Sequence, residues 1–530
     1  MKQSAELYKD CRDRSQLPDD IDTLKDIIVY QWQEFDRYKQ KTDLIIEQLM
    51  KKIESLEHEV AALRRNRFGQ RSEKKKKPSS SSTDKEDAPN SKACANQNHP
   101  GRNPLPSHLK REEVCYDLKA DDKICPLCQS LLSKIHDITT EQLDIIPCQL
   151  IVKQHKRSQY GCRKCYGTIK IAEMPAQPID KGLASAELLA HLIVDKYDYY
   201  LPCYRLERWF AREGVNISRS TMWGWFLKCY YLLEPLIEFM HQEEIIKGDH
   251  VFTDDTTMPM LDPGAGKTKT GRIWVYINKA TKDHKGVTIY QYTLSREGKY
   301  PVEFLKDFKG YVQADAYSGF NGLFIKDEKG QLIRKELGCW AHVRRKFFEI
   351  AKAYPNSLAQ EMVDLINQLY AIEKAANLAN LCNVAKRGFR KKKSKPILKK
   401  IYKWLNYYQP KVVPKSPLGQ AIAYTLNNWC ALGRFLADGK LEIDNNRSER
   451  KMKPIVIGRK NHMFVGSELG GKALAVFYSL IETCRDNDIN PEIYLADVLR
   501  KIPTHPNKRI RELIPWEWIK LREKPLQVAA

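Results

Sequence analysis

The sequence predicts a multidomain protein of mixed α+β structure. The chain has 530 residues, which is more than one hydrophobic core usually organises. Apolar residues recur at helical spacing over residues 28–63, whereas strand-like patterns begin near residue 249. We therefore expect three or four domains, with a helical region near the N-terminus and an α/β core further along the chain.

The charge of the chain favours a polyanionic partner. Lys and Arg total 89 and Asp and Glu total 66, which gives a formal net charge of +23. Such an excess of positive charge favours binding to nucleic acid. The alternative is a basic soluble protein without a nucleic-acid partner, which could have the same net charge. The sequence contains no apolar run of membrane-spanning length and no secretory signal, and most cysteines are single. We expect a cytoplasmic, nucleoid-associated protein.

Residues 20–69 are predicted to form a coiled-coil helix, because apolar side chains recur at spacings of three and four residues. The seam residues are Ile28, Trp32, Phe35, Ile46, Leu49, Ile53, Leu56, Val60 and Leu63. This pattern indicates a homo-oligomer, and the alternative is a long helix packed within one chain. Residues 70–106 contain almost no large apolar residues and are predicted to form a disordered basic linker.

Two CxxC pairs in residues 107–180 predict a zinc ribbon. Cys125 and Cys128 lie in CPLC, and Cys162 and Cys165 lie in CRKC. Each pair can provide two thiolates to a tetrahedral, structural Zn²⁺ site, and the stretch between the pairs alternates as strands do. The alternative is a group of four buried, reduced cysteines without metal.

Residues 181–240 have the proportions of a helix-turn-helix DNA-binding domain. A first helix is predicted from about Tyr204 to Arg212, ending at Gly214, and Ser218 can cap a second helix that runs through Lys228. The residues at the start of the second helix, where base edges would be reached, are Arg219, Ser220 and Thr221. A purely structural helical hairpin is the alternative.

Residues 245–352 are predicted to form the first part of an α/β core. HVFTDDTTMPML, GRIWVYINKA and GVTIYQYTL look like three antiparallel strands, followed by a helix around residues 301–308 and the strand GYVQADAY. This is the opening order of a ribonuclease-H-like fold. Asp254 and Asp315 would lie on its two central strands, where a carboxylate needs a salt bridge or a metal ion. Asp255 points to the face opposite Asp254, and the pattern alone does not choose between them.

A third carboxylate is predicted in residues 436–500. The segment DNN at 444–446 looks like a helix entry, which puts Glu449 in the first turns, where the helix dipole favours a carboxylate that can face a metal ion. A solvent-exposed glutamate is the alternative. The neighbouring cations that could hold DNA phosphates are Arg450, Lys453, Arg459 and Lys460. Residues 501–530 are assigned to a C-terminal tail.

These segments together resemble the bacterial DDE transposases of insertion-sequence family sixty-six, specifically their long transposase subunit. The motifs include RFGQRSEK, the two CxxC pairs, KYDYYLPCYRLERWFAREGVNISRSTMWGW, DDTTMPML, QADAYSGFNGLF, CWAHVRRKFFE and DNNRSERKMKPIVIGRKNHMFVGSELGGKALAVFYSLIETC. The resemblance covers nearly the whole chain. It implies that Asp254, Asp315 and Glu449 form the catalytic triad, with Asp254 the first of the two adjacent acids. It also implies that residues 353–435 are a helical insertion in the core.

The resemblance further implies metal-dependent chemistry on DNA. Carboxylate oxygens suit two Mg²⁺ or Mn²⁺ ions, which activate water or a DNA 3′-hydroxyl and stabilise the leaving oxygen. Such an enzyme would bind the terminal inverted repeats of an insertion sequence, cleave them and join them to target DNA, with small companion proteins of the same element. Cys339 and His342 in CWAH are similar to a Cys-x-x-His signature of several transposase groups, and they either support the site or pack the core. The rival hypotheses are a catalytically inactive DNA-binding regulator and a nuclease or resolvase that cuts without joining.

Overall fold

The computed structural model describes residues 20–40, 42–43, 149–161, 169–326, 328, 330–354 and 357–523. Residue contacts divide the chain into two units, one of Met1–Arg71 with Glu173–Ala530 and one of Ser72–Ala172. In the smaller unit, strands β1 (Gln159–Gly161) and β2 (Ile169–Ile171) form an antiparallel pair. The four CxxC cysteines and the linker at 70–106 lie outside the described residues.

The larger unit contains a five-stranded sheet. Its strands are β3 (His250–Leu261), β4 (Thr268–Lys279), β5 (Gly286–Thr293), β6 (Gly310–Gln313) and β7 (Arg334–Leu337). Their order across the sheet is β5-β4-β3-β6-β7; β3, β4 and β5 are antiparallel neighbours, and β6 and β7 run parallel to β3. The mixed α and β composition and the predicted succession of three antiparallel strands, a helix and a further strand are confirmed.

The connection between β5 and β6 contains the short helix α4 (Lys299–Phe304). This helix overlaps the predicted span of 301–308 but begins two residues earlier and ends four residues earlier. Phe304 stacks on Tyr276 of β4, with ring centroids 3.9 Å apart, and so α4 covers one face of the sheet. The inner part of β4 is buried from Ile273 to Ile277, as expected for a strand covered on both faces.

Three helices precede the sheet, namely α1 (Ala186–Tyr197), α2 (Cys203–Arg212) and α3 (Arg219–Met240). Gly214, with a φ of +76°, ends the first helix of the predicted helix-turn-helix, and the Ser218 hydroxyl accepts a hydrogen bond from the amide of Thr221 at 3.2 Å to begin the second. The second helix does not end at Lys228 as predicted. It continues to Met240 and into a π-helical turn over His241–Ile246, and the helix packs against helix α11 (Glu468–Asp486).

The predicted insertion is helical. Helix α5 (Trp340–Ala353) leads into it, and it contains α6 (Leu358–Leu378), α7 (Asn383–Tyr408), α8 (Pro417–Asn427) and α9 (Trp429–Gly433). These helices share one hydrophobic cluster with α5, which also includes Leu337 at the end of β7 and Ile443 on the C-terminal side of the insertion. The insertion is therefore packed against the chain segments on either side of it.

The last four helices are α10 (Asn446–His462), α11 (Glu468–Asp486), α12 (Pro491–Lys501) and α13 (Pro515–Glu523). Helix α11 covers β5, where Ser479 and Thr483 accept hydrogen bonds from strand amides at 2.8 and 3.1 Å. The described part of the predicted C-terminal tail is folded, since Trp516 and Trp518 are buried.

The helix-turn-helix packs on these C-terminal helices. The rings of Tyr197 and Phe226 lie 4.9 and 6.3 Å from the ring of Phe477 in α11, and α12 packs along α1. The predicted domain at 181–240 is therefore joined to the C-terminal helices through a common core. None of the helices that the structure describes is long and apolar enough to cross a membrane.

Candidate active site

The two central strands bring Asp254 and Asp315 to the same level of the sheet. In the parallel pairing of β3 with β6, Phe252 lies opposite Gln313, and each aspartate follows two residues later along its strand direction. Asp315 comes just after β6, where the amide of Tyr317 donates to its Oδ1 at 3.1 Å. Ala316 between them has a φ of +63°, a conformation that costs a non-glycine residue free energy.

Asp255 is held away from this site by two arginines. Its side chain is 1% exposed and forms ion pairs with Arg272 at 3.2 Å and with Arg296 at 2.8 Å. The Arg296 guanidinium also lies over the Tyr317 ring, 3.7 Å from its centroid. Asp255 is thus a buried carboxylate that is paired with two arginines.

Asp254 has the opposite surroundings. Its Oδ1 accepts a hydrogen bond from the amide of Asp255 at 2.8 Å, and within the described part of the chain no cationic side chain forms an ion pair with it. Burial and the negative charge of Asp315 raise the pKa of Asp254 to about 7, with smaller contributions from the charges of Asp255 and Glu449. Several carboxylates of like charge therefore act on Asp254 at this end of β3.

Helix α10 brings in the third acid. Asn445, just before the helix, is fully buried and its side-chain amide donates to the Thr253 carbonyl of β3 at 2.9 Å. This bond fixes the start of α10 beside the residue that precedes Asp254. Glu449 lies in the first turn, as the helix entry predicts, and is partly exposed.

The Glu449 carboxylate contacts two residues of α5. Arg345 Nη2 lies 3.1 Å from its Oε1, and His342 Nε2 lies 3.6 Å from the same atom. Burial lowers the pKa of His342, while the charge of Glu449 opposes that shift. His342 therefore belongs to the acid cluster.

Cys339 has a different place. It is buried, its sulfur accepts the amide of Asn445 at 3.2 Å, and burial raises the pKa of its thiol to about 12. A neutral thiol in this position packs the joint between α5 and the start of α10. In the CWAH motif the cysteine is part of the core and the histidine faces the acids.

The donor set fits a hard divalent cation in its chemistry. Asp254, Asp315 and Glu449 offer carboxylate oxygens, and their mutual repulsion would be relieved by positive charge between them. Among the residues that the structure describes, no three His, Cys, Asp or Glu side chains stand close enough to bind one ion together. The pairing of Glu449 with Arg345 shows where its side chain lies, and joint coordination would require it to move.

Basic side chains continue from the acids along α10. Arg450, Lys453 and Lys460 are exposed, as a phosphate contact requires. Arg459 differs from that expectation, because it is only partly exposed and its guanidinium donates to the backbone carbonyl of Thr257 in β3. Its position fastens α10 to the sheet.

The predicted base-reading residues lie at the exposed start of α3. Arg219, Ser220 and Thr221 are all exposed, and Arg219 pairs with Glu207 of α2 at 3.1 Å. They belong to a helix far along the chain from the acids, and no contact joins them to Asp254, Asp315 or Glu449 within the described residues.

Three arginines at the site were not predicted from the sequence. Arg272 and Arg296 pair with Asp255, which lies 17 and 41 residues away from them in the sequence. Arg345 pairs with Glu449, which lies 104 residues away. For Arg345 a signal exists, since it follows His342 by one helical turn in CWAHVRRKF. For the other two, only the three-dimensional pairing reveals the role.

Comparison with known proteins places the chain among the transposases. The model of the Transposase IS66 family matches residues 181–473, and the chain belongs to that family. Further matches are to the IS66 C-terminal element at 479–516, the zinc-finger binding domain of transposase IS66 at 122–166, and the Transposase C of IS166 homeodomain at 55–114. The predicted family is confirmed, and a zinc-finger domain covers both CxxC pairs.

Curated relatives cover most of the chain. Uncharacterized protein y4jD of Sinorhizobium fredii (strain NBRC 101917 / NGR234) is 33% identical over 505 residues, which are 89% of this chain and 96% of the relative. Uncharacterized protein y4hP of the same strain is 31% identical over 447 residues, which are 81% of this chain and 79% of the relative.

Proposed function

We propose that this protein cleaves the ends of an insertion sequence and joins them to target DNA, using Asp254, Asp315 and Glu449 as a metal-binding triad. The observation that carries the proposal is the register of the two strands, which puts Asp254 and Asp315 side by side at the same end of the sheet. Glu449 lies on a helix whose start is hydrogen-bonded to the strand of Asp254. The strand order β5-β4-β3-β6-β7, with β6 and β7 parallel to β3, supports a ribonuclease-H-like core.

Each residue near the triad has a proposed task. Ions bound by the three carboxylates, Mg²⁺ or Mn²⁺, would supply activation of the attacking oxygen and stabilisation of the leaving oxygen of a phosphodiester. Arg272 and Arg296 hold Asp255 out of the site. In the metal-free protein Arg345 and His342 hold the Glu449 side chain, and Tyr424 of the insertion supports Asp315 by donating to its backbone carbonyl at 3.0 Å.

DNA recognition is proposed for the two exposed basic regions. The start of α3, with Arg219, Ser220 and Thr221, would read the terminal inverted repeats from the major groove. Arg450, Lys453 and Lys460 on α10 would hold backbone phosphates next to the acids. Both sets are exposed, which supports this assignment.

Self-association is proposed for the N-terminal helix over residues 21–40. Ile28, Trp32 and Phe35 of the predicted seam are 57%, 64% and 63% exposed in the single chain. Large apolar side chains repeated along one helix favour a partner helix that covers them. We propose that two chains pair in this way to hold two element ends in the nucleoid, with small companion proteins of the element as further partners.

A structural zinc ion is proposed for Cys125, Cys128, Cys162 and Cys165. The match of residues 122–166 to a zinc-finger domain supports this proposal. Four thiolates would fold the small domain around the ion.

The proposed activity is tested with purified protein, Mg²⁺, labelled DNA that carries the element's ends, companion proteins and a plasmid target. The wild type should nick the ends and form joined products. The Asp254→Asn variant should bind the ends and do neither, whereas Asp262→Asn, which removes a carboxylate paired with Lys269, should remain active.

Two other outcomes would support rival functions. If the wild type binds the ends but neither cuts nor joins, the protein is a DNA-binding regulator. If it cuts without joining, it is a nuclease or resolvase.

A further inference from the structure

Helix α7 of the insertion has an unusual charge. Its residues, Asn383–Tyr408, include eight lysines and two arginines and neither Asp nor Glu. Like charges one turn apart repel each other and destabilise a helix. A helix with this composition is therefore stabilised by its packing and by anything that neutralises it.

The buried side of α7 is firmly anchored. Arg390 is fully buried, and its guanidinium makes two 2.7 Å bonds to the carboxylate of Glu373. It also donates to the carbonyls of Phe435, Asp438 and Leu441 at 2.7, 2.7 and 2.8 Å. These carbonyls belong to the segment that leads into the Glu449 helix. The orientation of α7 is thus tied to the start of that helix.

The outer side of α7 presents a lysine row, defined here as Lys392, Lys395, Lys399 and Lys403. All four are exposed, and their spacings of three, four and four residues put them on one side of the helix. No carboxylate of the described residues lies within ion-pair distance of any of them. The row is about 16 Å long at 1.5 Å per residue, which is roughly five base pairs of duplex DNA.

We infer that the lysine row of α7 is a sequence-independent binding surface for the phosphate backbone of double-stranded DNA. The inference rests on the proposed function in one respect, since it takes the duplex to be a substrate of the same protein. DNA fits better than an acidic protein, because lysine is depleted in protein interfaces. The Arg390 anchor would hold the bound duplex in a fixed position relative to the Glu449 helix.

The test compares two quadruple variants of the full chain. One replaces each residue of the lysine row by glutamine. The control replaces four exposed lysines elsewhere that form no ion pair with the described residues, which are Lys267, Lys282, Lys309 and Lys508. Both variants lose four positive charges, so a difference in their DNA binding must come from where the lysines lie. Thermal unfolding should show that both remain folded.

Binding to a labelled random-sequence duplex is measured by fluorescence anisotropy at increasing salt concentration. If each lysine of the row neutralises one phosphate, the slope of log Kobs against log[salt] should become less steep by about 3 to 4 for the row variant. The control should keep the wild-type slope, and a Lys→Arg version of the row should keep it as well. Equal slopes for the row variant and the control would overturn the inference.

Failure of this inference is distinguishable from failure of the proposed function. If the wild type cleaves and joins DNA but the row variant shows no change of slope, the inferred DNA-binding surface is wrong and the proposed function stands. A slope change in the row variant, with a wild type that never cleaves, would support the surface and contradict the enzyme.

Discussion

Asp254 and Asp255 are adjacent on one strand and have opposite electrostatic surroundings. Asp255 is paired with Arg272 and Arg296, whereas Asp254 faces Asp315 and Glu449 and forms no ion pair within the described residues. The alternation of side chains along a strand produces this separation. One carboxylate stabilises the fold, and its neighbour carries charge that the fold leaves uncompensated.

Replacing Asp255 should therefore destabilise the protein. Asp255→Asn leaves Arg272 and Arg296 without their buried partner, and we expect a loss of roughly 3 kcal/mol in the free energy of unfolding. Asp262→Asn is the matched control, because its partner Lys269 is largely exposed and the pair should contribute less than about 1 kcal/mol. Denaturant titration measures both. Equal midpoints for the two variants would mean that the arginines do not depend on Asp255.

The raised pKa of Asp254 predicts a pH effect in metal-free buffer. Between about pH 4 and pH 7 the folded state retains a proton that the unfolded state has released, so this group lowers the free energy of unfolding as pH rises. Asp254→Asn removes the effect. In EDTA, the melting temperature of the variant minus that of the wild type should increase from pH 5 to pH 8. A difference that stays constant over this range would contradict the shifted pKa.

Arg345 should weaken metal binding in the free protein. Its guanidinium lies 3.1 Å from Glu449 and is about half exposed, so removing it should strengthen Mn²⁺ binding by about twofold to fivefold. Isothermal titration of Arg345→Gln with Mn²⁺ measures the change. Arg344→Gln is the control, because Arg344 bonds to Asn367 in the insertion. Unchanged affinity in Arg345→Gln would show that Glu449 takes no part in binding the ion.

Substitutions at two helix caps distinguish a loss of stability from a loss of DNA recognition. Ser185 accepts the amide of Leu188 at 3.3 Å, and Ser218 accepts that of Thr221 at 3.2 Å. Replacement of either by alanine should cost about 1 kcal/mol of stability. Only Ser218→Ala should weaken binding to the element ends, because it loosens the turn that presents Arg219. Equal end binding by the two variants would argue against base reading at this helix.

Local patterns predicted much of the fold. Strand-like segments joined by turns identified the three antiparallel strands, and the residues Gly214 and Ser218 marked the turn between α2 and α3. The DNN segment correctly predicted the start of the helix that carries Glu449. These features depend on residues close together in the sequence, and so they can be seen without the fold.

The features that the sequence did not predict depend on contacts between residues far apart in the chain. The partners of Asp255 come from two other segments, which is why the strand pattern could not choose between the adjacent acids. The second helix of the helix-turn-helix extends to Met240, and it packs on α11, more than 200 residues later in the chain. The burial of Trp516 in the predicted tail depends on similar tertiary packing. The four zinc-ribbon cysteines remain a prediction.

The most direct test of the metal-binding triad is a Mn²⁺ titration of the DNA-free protein, followed by electron paramagnetic resonance of the unbound ion. Wild type should bind Mn²⁺, and Asp254→Asn should bind it at least about tenfold more weakly. Loss of a residue that only supports a metal ligand already lowers metal affinity by about that factor, and loss of a ligand should lower it at least as much. Asp262→Asn should match the wild type. Equal Mn²⁺ binding by wild type and Asp254→Asn would contradict the assignment of the triad.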